Sequence, residues 1–252
     1  MQKNEKLVIV IPTRDEAGNI LVLLSRIQAT LDSAEIRYQI IVIDDESRDG
    51  TAERVSAAAR ADGRIRLLVR HGERGLAGAI LYGWRHTDAE ILGVIDADLQ
   101  HPPELLPALF NAIIEGSDLA IASRYTEGGK VDGWDPARRL VSSVAAWACL
   151  PLQPRGLGAR DSLSGFFLVR RRCLHGLDFQ KSGFKLLLEI LVRGRIRSVQ
   201  EIPYSFGRRH AGRSKASIGV ALDYIALMAR LYRLRYGLTR PSLTLAGDQW
   251  NS

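Results

Sequence analysis

Two carboxylates one residue apart follow an apolar stretch near the middle of the chain. Asp96 and Asp98 come directly after Ile91–Ile95, a predicted buried strand, and Gln100 lies two residues further on. Alternate residues of an extended chain project to the same side, so these side chains are predicted to converge on one divalent ion. Such oxygen ligands suit Mg²⁺ or Mn²⁺, which share their coordination with substrate phosphates, and a diphosphate leaving group is the expected partner. The alternative is that both aspartates only end the strand and cap the next helix.

A second acidic pair, Asp44 and Asp45, ends another apolar strand in the same half of the chain. Carboxylates at such a strand end can accept hydrogen bonds from the base or ribose of a nucleotide, as an acidic residue does in dinucleotide sites. The competing interpretation is a turn in which Ser47 or Asp49 caps the helix that begins at Thr51. The two interpretations are compatible, and both are kept.

Charge is divided unevenly along the 252 residues. Residues 1–120 contain 13 Lys and Arg against 19 Asp and Glu, whereas residues 121–252 contain 22 against 9. The acidic half suits a cation, and the basic half suits phosphates, an anionic lipid surface, nucleic acid or a solvated surface. The segment Arg208–Lys215, which contains a glycine, is predicted to be either a mobile loop that closes over phosphates or a solvated turn or nucleic-acid patch. The candidate phosphate-binding residues are Arg124, Arg138, Lys185, Arg208, Arg209, Arg213 and Lys215.

The first half alternates β-branched apolar runs with amphipathic stretches, which predicts a doubly wound α/β fold with a mostly parallel sheet. In such sheets ligands bind beyond the carboxyl ends of the strands, where the strand order reverses. Polar clusters follow four of the predicted strands, so the chemistry is expected at this edge. The predicted strands are Leu7–Ile11, Tyr38–Ile43, Ile65–Val69, Ile91–Ile95 and Leu119–Ser123. The predicted helices are Ile20–Leu31 with Asn19 as its cap, Thr51–Ala61, Leu76–Trp84 and Pro103–Ile114.

The later part is predicted to end in an amphipathic helix. Its longest apolar run, Ile218–Ala229, is interrupted by Asp223 and is shorter than the roughly 20 residues of a membrane span. The helix either lies in a membrane interface, packs on the core, or contacts a membrane-anchored partner subunit. Cys149 and Cys173 lack zinc-site or disulfide spacing, which favours a reducing compartment, and the N-terminus is unlike a secretory signal. Together with an interfacial helix, these features predict a cytoplasmic protein that is attached peripherally to the cytoplasmic face of a membrane. The later predicted elements are Leu140–Leu152, Phe166–Val169, Phe184–Val192, Ser198–Pro203 and Ser217–Tyr236.

Several motifs resemble those of family-2 glycosyltransferases of GT-A fold, specifically the dolichyl-phosphate (polyprenyl-phosphate) mannosyltransferases. The resemblance extends from about Leu7 to Lys215, and its most specific block is DADLQHPPE, which begins at Asp96. It implies a GT-A catalytic domain over 1–215, with a nucleotide and metal half at 1–123 and an acceptor and phosphate half at 124–215. Residues 216–252 would form an amphipathic helix and a tail. The other matching motifs are Ile11-Pro12-Thr13, Asp44–Thr51, Ser123-Arg124-Tyr125 and Ser164-Gly165-Phe166-Phe167.

The resemblance also implies roles for individual residues. Asp98 and Gln100 would bind the metal, and Arg124, Arg138 and Ser142 would surround the acceptor phosphate. Asp161, which precedes the Ser164 motif, is a further candidate that orients the acceptor or an arginine side chain. The candidate catalytic residues are Asp96, Asp98, Arg124 and Asp161. The candidate nucleotide-sugar-binding residues are Pro12, Thr13, Arg14, Glu16, Ile43, Asp45, Asp96, Ala97, Asp98, Gln100, Lys185, Arg209 and Lys215.

The implied reaction is inverting transfer of mannose from GDP-mannose to a polyprenyl monophosphate, which forms a β-linked polyprenyl-phosphate mannose. A phosphate-monoester oxygen is anionic at neutral pH, since its second pKa is about 6, so no strong general base is expected. Within the same fold, a UDP-sugar such as UDP-glucose is the alternative donor, because acidic residues specify neither base nor sugar. A nucleic-acid-binding protein would explain the basic half but not the acidic strand ends, and the aromatic residues are not interleaved as stacking platforms. A non-catalytic metal–nucleotide module is a further alternative.

Overall fold

Strands and helices alternate regularly up to the fourth strand. The computed structural model of the protein describes residues 6–72, 74–131, 136–177, 179, 185–206 and 218–236. Each early element corresponds to a predicted one, and the second helix and third strand have the predicted bounds. These elements are β1 (Leu7–Thr13), α1 (Ile20–Ser33), β2 (Tyr38–Asp44), α2 (Thr51–Ala61), β3 (Ile65–Val69), α3 (Leu76–Arg85) and β4 (Ile91–Val94).

The second half contains shorter strands and the helices that flank them. A 3₁₀ turn at Pro103–Leu105 leads into α4 (Leu106–Ile114), and further 3₁₀ turns occupy Leu150–Leu152 and Arg171–Leu174. Within the described ranges, no helix is long and apolar enough to cross a membrane. The remaining elements are β5 (Leu119–Ser123), β6 (Lys130–Val131), α5 (Pro136–Cys149), β7 (Phe167–Arg170), α6 (Leu186–Arg193), β8 (Val199–Pro203), β9 (Ser205–Phe206) and α7 (Ile218–Arg235).

Seven strands form one mostly parallel sheet in the order β3-β2-β1-β4-β7-β5-β8. In this sheet β7 runs antiparallel to its neighbours β4 and β5, and the other pairs are parallel. The chain builds outward from β1 to β3 and then returns to place β4 on the other side of β1. The strand order therefore reverses between β1 and β4, which opens a crevice beyond their carboxyl ends and confirms the predicted α/β fold class. A separate parallel pair joins β6 to β9.

The strand β1 is buried on both of its faces. Leu7, Ile9 and Ile11 belong to an apolar cluster with side chains of α1, α2 and α4, whereas Val8 and Val10 belong to a second cluster with α3 and α6. Successive residues of a strand point to opposite faces, and helices cover both faces here, so the strand requires an uninterrupted apolar run. This packing holds the loops at the carboxyl end of β1 in a fixed position.

Two local features differ from their predictions. The strand β4 ends one residue earlier than predicted, at Val94, and the chain then turns at Ala97 and Asp98. Asn19 stands at the start of α1 but makes no side-chain capping bond; its Nδ2 donates instead to Glu16 Oε2, 2.7 Å away. An amide offers donors as well as an acceptor, and this one ties the helix start to the preceding loop.

The two residues predicted as candidates for the cap of α2, Ser47 and Asp49, have different roles in the structure. Asp49 Oδ1 accepts a hydrogen bond from the Thr51 N–H at 3.1 Å, and Gly50 occupies the N-cap position with φ 89°. Ser47 instead donates its hydroxyl to Asp44, within the turn after β2. Asp49 therefore satisfies an amide at the helix start, and Ser47 stabilises the turn.

Candidate active site

The carboxyl ends of β1, β2 and β4 bring predicted nucleotide-binding residues to one edge of the sheet. In the parallel register, Pro12 lies opposite Ile43 and Thr13 lies opposite Asp44. The N–H of Ile95, the first residue after β4, donates to the backbone of β1 at 3.3 Å. The acidic segment after β4 therefore leaves the sheet beside the paired ends of β1 and β2.

The two aspartates that follow one another at the end of β2 have different surroundings. Asp44 is 1% exposed and accepts bonds from the N–H (2.8 Å) and the hydroxyl (2.5 Å) of Ser47, so it stabilises the turn. Asp45 accepts bonds from Nε (2.7 Å) and Nη2 (2.6 Å) of Arg70 and from the Gly75 N–H (3.2 Å). A carboxylate oxygen has two lone pairs, so Asp45 can still accept a bond from a nucleotide while Arg70 fixes its direction.

Sequence reasoning missed Arg70. Its side chain is 3% exposed and forms a buried ion pair with Asp45, whose side chain is 9% exposed. Removing one partner of such a pair typically costs about 3–5 kcal/mol, because the remaining charge stays buried. The available signal was position: Arg70 is the first residue after β3, which lies next to β2 in the sheet.

The loop that carries Arg14 and Glu16 is fastened to the loop after β2. The Asp15 N–H donates to Ser47 Oγ (2.8 Å), and the Arg48 N–H donates to Asp15 Oδ1 (2.9 Å). The Glu16 N–H donates to the side chain of the first residue of α2 (2.9 Å). Asp15 has φ 55°, a left-handed conformation that these bonds hold in place. The two loops therefore reach the site as one connected unit.

The acidic segment after β4 is a tight turn. Asp98 Oδ1 accepts a bond from the Gln100 N–H (3.1 Å), and Leu99 between them has φ 61°. This conformation costs a residue other than glycine roughly 1–3 kcal/mol, and the packing of Leu99 on the core offsets it. The extended geometry predicted for this segment was therefore wrong. The turn leaves Asp98 8% exposed and the Asp96 side chain 32% exposed.

A metal ion at this turn would have few protein ligands. Across the part of the chain that the structure describes, no three His, Cys, Asp or Glu side chains are grouped as a metal cage. Asp98 and Gln100 lie in one turn, joined by the bond from the Gln100 N–H to Asp98 Oδ1, and both residue types have side-chain oxygen atoms. Mg²⁺ and Mn²⁺ suit so small a set, because water and substrate phosphates complete their coordination. The residues present therefore fit a divalent ion that is held jointly with a diphosphate.

The loop before β7 closes against Asp96. A Cβ built on Gly165 would lie 2.9 Å from Asp96 Cγ and closer still to Oδ2. Ser164 holds this loop in place, because its hydroxyl donates to the Ala122 carbonyl of β5 at 2.8 Å. A side chain at position 165 would therefore displace the Asp96 carboxylate, which glycine leaves in place.

Arg124 and Asp161 form a buried ion pair at the end of β5. Nε and Nη2 of Arg124 each donate to a carboxylate oxygen at 2.8 Å, and the Arg124 N–H donates to Oδ2 at 2.9 Å. Asp161 is 0% exposed, and its own N–H donates to Glu201 Oε1 of β8 at 2.9 Å. Asp161 thus orients the Arg124 side chain. This is one of the two roles predicted for it from the sequence, the other being to orient the acceptor.

Lys185 precedes α6 and places a second cation near Asp96. Burial lowers the pKa of the Lys185 ammonium group and nearby Arg124 lowers it further, whereas Asp96 and Asp161 act in the opposite direction. Lys185 and Asp96 line a cavity of about 110 Å³ together with apolar side chains of α3, β4, β7 and α6. An anion bound here would relieve the repulsion between the two cations.

The predicted acceptor residues are described only in part. Ser142 Oγ lies 2.6 Å from the Tyr125 hydroxyl, and the Arg124 guanidinium lies over the Tyr125 ring, 5.3 Å from its centroid. Tyr125 thus joins two predicted acceptor residues, a connection that sequence reasoning missed although this tyrosine stands in a matching motif. The whole loop Arg208–Lys215 lies outside the described part of the chain. The predicted site residues whose side chains lie outside it are Arg138, Arg209 and Lys215.

Asp96, which follows β4, and Lys185, which precedes α6, line one cavity. A mostly parallel sheet of this topology has the GT-A fold. The chain belongs to glycosyl transferase family 2, whose family model matches residues 8–181.

Individual relatives narrow the comparison. The chain is 37% identical over 228 residues to the dolichol-phosphate mannosyltransferase of Pyrococcus furiosus. The matched region covers 90% of this chain and 64% of the relative. It therefore spans slightly less than two thirds of that relative's length. It is also 36% identical to the dolichol-phosphate mannosyltransferase of Mycosarcoma maydis, over 91% of this chain and 80% of the relative. The dolichol-phosphate mannosyltransferase of Saccharomyces cerevisiae is 34% identical, and the match covers 91% of this chain and 88% of the relative.

Solved structures share the fold. Glucosyl-3-phosphoglycerate synthase from Mycobacterium tuberculosis, in complex with Mn²⁺, UDP-glucose and phosphoglyceric acid, matches with a TM-score of 0.68 at 20% identity, over 96% of this chain and 83% of that one. Mannosyl-3-phosphoglycerate synthase from Rubrobacter xylanophilus matches with a TM-score of 0.69 at 18% identity. This match covers 95% of this chain and 77% of that one. At these identities the likeness concerns the fold.

Proposed function

We propose that this chain transfers mannose from GDP-mannose to a polyprenyl (dolichyl) monophosphate, with inversion to a β-linked product. The observation that carries this function is one cavity lined by both Asp96 and Lys185, close to the buried Arg124–Asp161 pair. Cations and carboxylates so arranged suit a reaction between two phosphate-bearing substrates, because the leaving group and the nucleophile are both anionic. The mannosyltransferase relatives support the same assignment.

The donor nucleotide is proposed to lie over the ends of β1 and β2, within residues 1–123. Asp45, which Arg70 holds in place, would accept a hydrogen bond from the base or the ribose. Asp96 and Ala97 would lie nearer the nucleotide than Asp98. The remaining proposed contacts of the nucleotide are Pro12, Thr13, Arg14, Glu16 and Ile43.

The donor diphosphate is proposed to share Mg²⁺ or Mn²⁺ with Asp98 and Gln100. When bound, the ion would neutralise charge on the departing GDP. Lys185 is half-buried and lines the cavity beside Asp96, so its ammonium group would interact more strongly with phosphate than that of a fully exposed lysine. Arg209 and Lys215 are proposed to add further cations.

The acceptor phosphate is proposed to bind Arg124, Arg138 and Ser142, within residues 124–215. Asp161 fixes the Arg124 guanidinium in advance, so little reorganisation is needed when the phosphate arrives. An anionic phosphate oxygen attacks the anomeric carbon as the bond from that carbon to GDP breaks. Because this oxygen carries no proton at neutral pH, we assign no histidine or aspartate as a general base.

A donor panel tests the function. Purified protein is incubated with polyprenyl phosphate and either GDP-mannose, GDP-glucose, UDP-glucose or UDP-mannose, with Mg²⁺, Mn²⁺ or a chelator, and the glycolipid is measured. We expect product from GDP-mannose that disappears with the chelator. Turnover with UDP-sugars alone would contradict the donor assignment, and undiminished turnover in the chelator would contradict the metal.

Asp98→Asn is expected to reduce the transfer rate by about 10²–10³-fold, because it removes a charged oxygen from the proposed metal site. The loss should be partly reversed by raising the Mn²⁺ concentration, which initial rates across a metal titration would measure. Asp88→Asn is the matched control, since Asp88 forms an exposed surface pair with Lys6. An Asp98→Asn enzyme with the same rate and metal dependence as the Asp88→Asn enzyme would exclude Asp98 as a metal ligand.

Exposed apolar side chains are prominent on α5 and α7. On α5, Val144 is 58% and Trp147 is 75% exposed, and on α7 Ile225 is 62% exposed. The two helices pack together, since a tyrosine hydroxyl of α7 donates to a carbonyl of α5 at 2.7 Å. We infer that they contact a membrane surface peripherally, because the proposed acceptor is a lipid and Arg233 and Arg235 add positive charge at the end of α7.

Co-sedimentation with phospholipid vesicles tests this contact. The double variant Trp147→Ser/Ile225→Ser is expected to partition at least about 10-fold more weakly, because each large apolar side chain contributes about 1.5–3 kcal/mol when buried. Leu21→Ser/Val22→Ser is the control, since these α1 residues are 41% and 45% exposed. Equal weakening by both double variants would contradict the contact, and so would binding that requires a membrane-anchored protein.

A further inference from the structure

His101 lies between Tyr204 and Asp96. Its Nδ1 is 2.8 Å from the Tyr204 hydroxyl, and its Nε2 is 3.5 Å from Asp96 Oδ2. The ring of Phe166 meets the imidazole edge to face, with centroids 5.7 Å apart. His101 and Tyr204 are each 4% exposed. The imidazole is therefore packed in one orientation, with one nitrogen toward the tyrosine and the other toward the carboxylate.

These neighbours select one tautomer of the imidazole. A neutral imidazole has one N–H and one acceptor nitrogen, and a carboxylate only accepts hydrogen bonds. The nitrogen that faces Asp96, Nε2, therefore has to carry the proton. In the neutral imidazole Nδ1 is then the acceptor, and the Tyr204 hydroxyl is its donor. Burial also raises the pKa of Tyr204 far above its usual value, so this hydroxyl stays protonated.

We propose that His101 is a positioning residue, which holds Asp96 through Nε2–H while Tyr204 holds the imidazole. His101 Nε2 lies 3.5 Å from Asp96 Oδ2, and the backbone at Gly165 passes close to the same carboxylate, so both limit the direction in which Asp96 can point. A separation of 3.5 Å is long for a hydrogen bond, and such contacts commonly shorten when substrate binds. The effect on transfer rests on the proposed function of Asp96, whereas the tautomer does not.

Nitrogen-15 NMR of histidine-labelled full-length protein tests the tautomer directly. The His101 signals are assigned by their loss in His101→Gln. We expect a protonated Nε2 and an unprotonated, hydrogen-bonded Nδ1. Tyr204→Phe should shift the Nδ1 signal, because the only change is loss of the hydroxyl. A proton on Nδ1 in the unaltered protein would overturn the assignment, whatever reaction the enzyme catalyses.

Kinetics test the positioning role. His101→Leu is expected to lower kcat by about 10–100-fold, the usual cost of losing an outer partner of a site ligand. Tyr204→Phe is expected to lower it by about 2–10-fold, since one neutral hydrogen bond is lost. His101→Gln should restore most of the rate, because its amide N–H replaces Nε2–H. The variant His101→Leu/Tyr204→Phe should be no slower than His101→Leu alone, because Tyr204 acts through His101.

His86→Leu is the matched control, since the His86 ring also packs on a tyrosine, Tyr82, at 4.3 Å between centroids, but lies at the end of α3. It is expected to leave kcat unchanged. Circular dichroism and urea unfolding establish that each variant is folded under assay conditions. Effects of His101→Leu and Tyr204→Phe that multiply in the double variant would overturn the positioning role, and so would a folded His101→Gln enzyme as slow as His101→Leu.

Discussion

Asp161→Ala is expected to slow the proposed mannosyl transfer by at least about 100-fold and to destabilise the fold by about 3–5 kcal/mol. Asp161 is 0% exposed and accepts two side-chain bonds, at 2.8 Å each, from Arg124. Without it, the largely buried guanidinium would lose the carboxylate that accepts two of its hydrogen bonds, and it would turn away from the proposed acceptor phosphate. Urea unfolding measures the loss of stability, and initial rates at saturating substrate measure the loss of kcat.

Asp118→Ala separates these two effects. Asp118 is 5% exposed and accepts bonds from Arg172 Nη2 and the Arg197 N–H, each at 2.9 Å. It precedes β5, at the opposite end of the strand from Arg124. We expect this control to lose stability but to keep kcat per folded molecule. The orienting role of Asp161 would be refuted if its alanine variant, once folded, were as active as the control.

Gly165→Ala is expected to lower kcat by about 100-fold, because a displacement of about 1 Å at a reacting site can cost that much. The new methyl group would collide with Asp96, whose Cγ would lie 2.9 Å away. The Asp96 side chain is 32% exposed and can move outward, so stability should change little. Thermal unfolding and steady-state kinetics would show this contrast between a nearly unchanged fold and a slow enzyme.

Gly63→Ala is the matched control for this substitution. A Cβ at Gly63 would meet no heavy atom within 4 Å, so both stability and kcat should be unaffected. Full activity in Gly165→Ala would mean that the position of Asp96 is not critical. A large loss of stability would instead mean that the backbone of the loop, rather than the carboxylate, gives way.

The sheet of this protein could be predicted because its signals are local. A strand covered on both faces requires a continuous apolar run, and Leu7–Ile11 or Ile91–Val94 is such a run. The polar residues directly after these runs indicated the edge of the sheet where chemistry would occur. The motif that begins at Asp96 further indicated the family through residue identity and spacing, neither of which depends on tertiary contacts.

The geometry of the acidic turn could not be predicted in the same way. Leu99 has φ 61°, although its residue type favours ordinary helix or strand conformations. The left-handed conformation persists because its side chain packs on the core, and that packing involves residues distant in sequence. The alternation that an extended chain would have imposed on Asp96, Asp98 and Gln100 therefore does not occur.

The sequence by itself thus determined the fold class, the family, and the edge of the sheet where the ligands should bind. Only the tertiary structure decided which buried side chains pair with one another. Asp45 pairs with Arg70 across 25 residues, Arg124 with Asp161 across 37, and His101 with Tyr204 across 103. Burial makes such partners necessary, because a charge or polar group removed from water requires a counterpart. The identity of that counterpart depends on distance in space, which neither residue type nor spacing along the chain specifies.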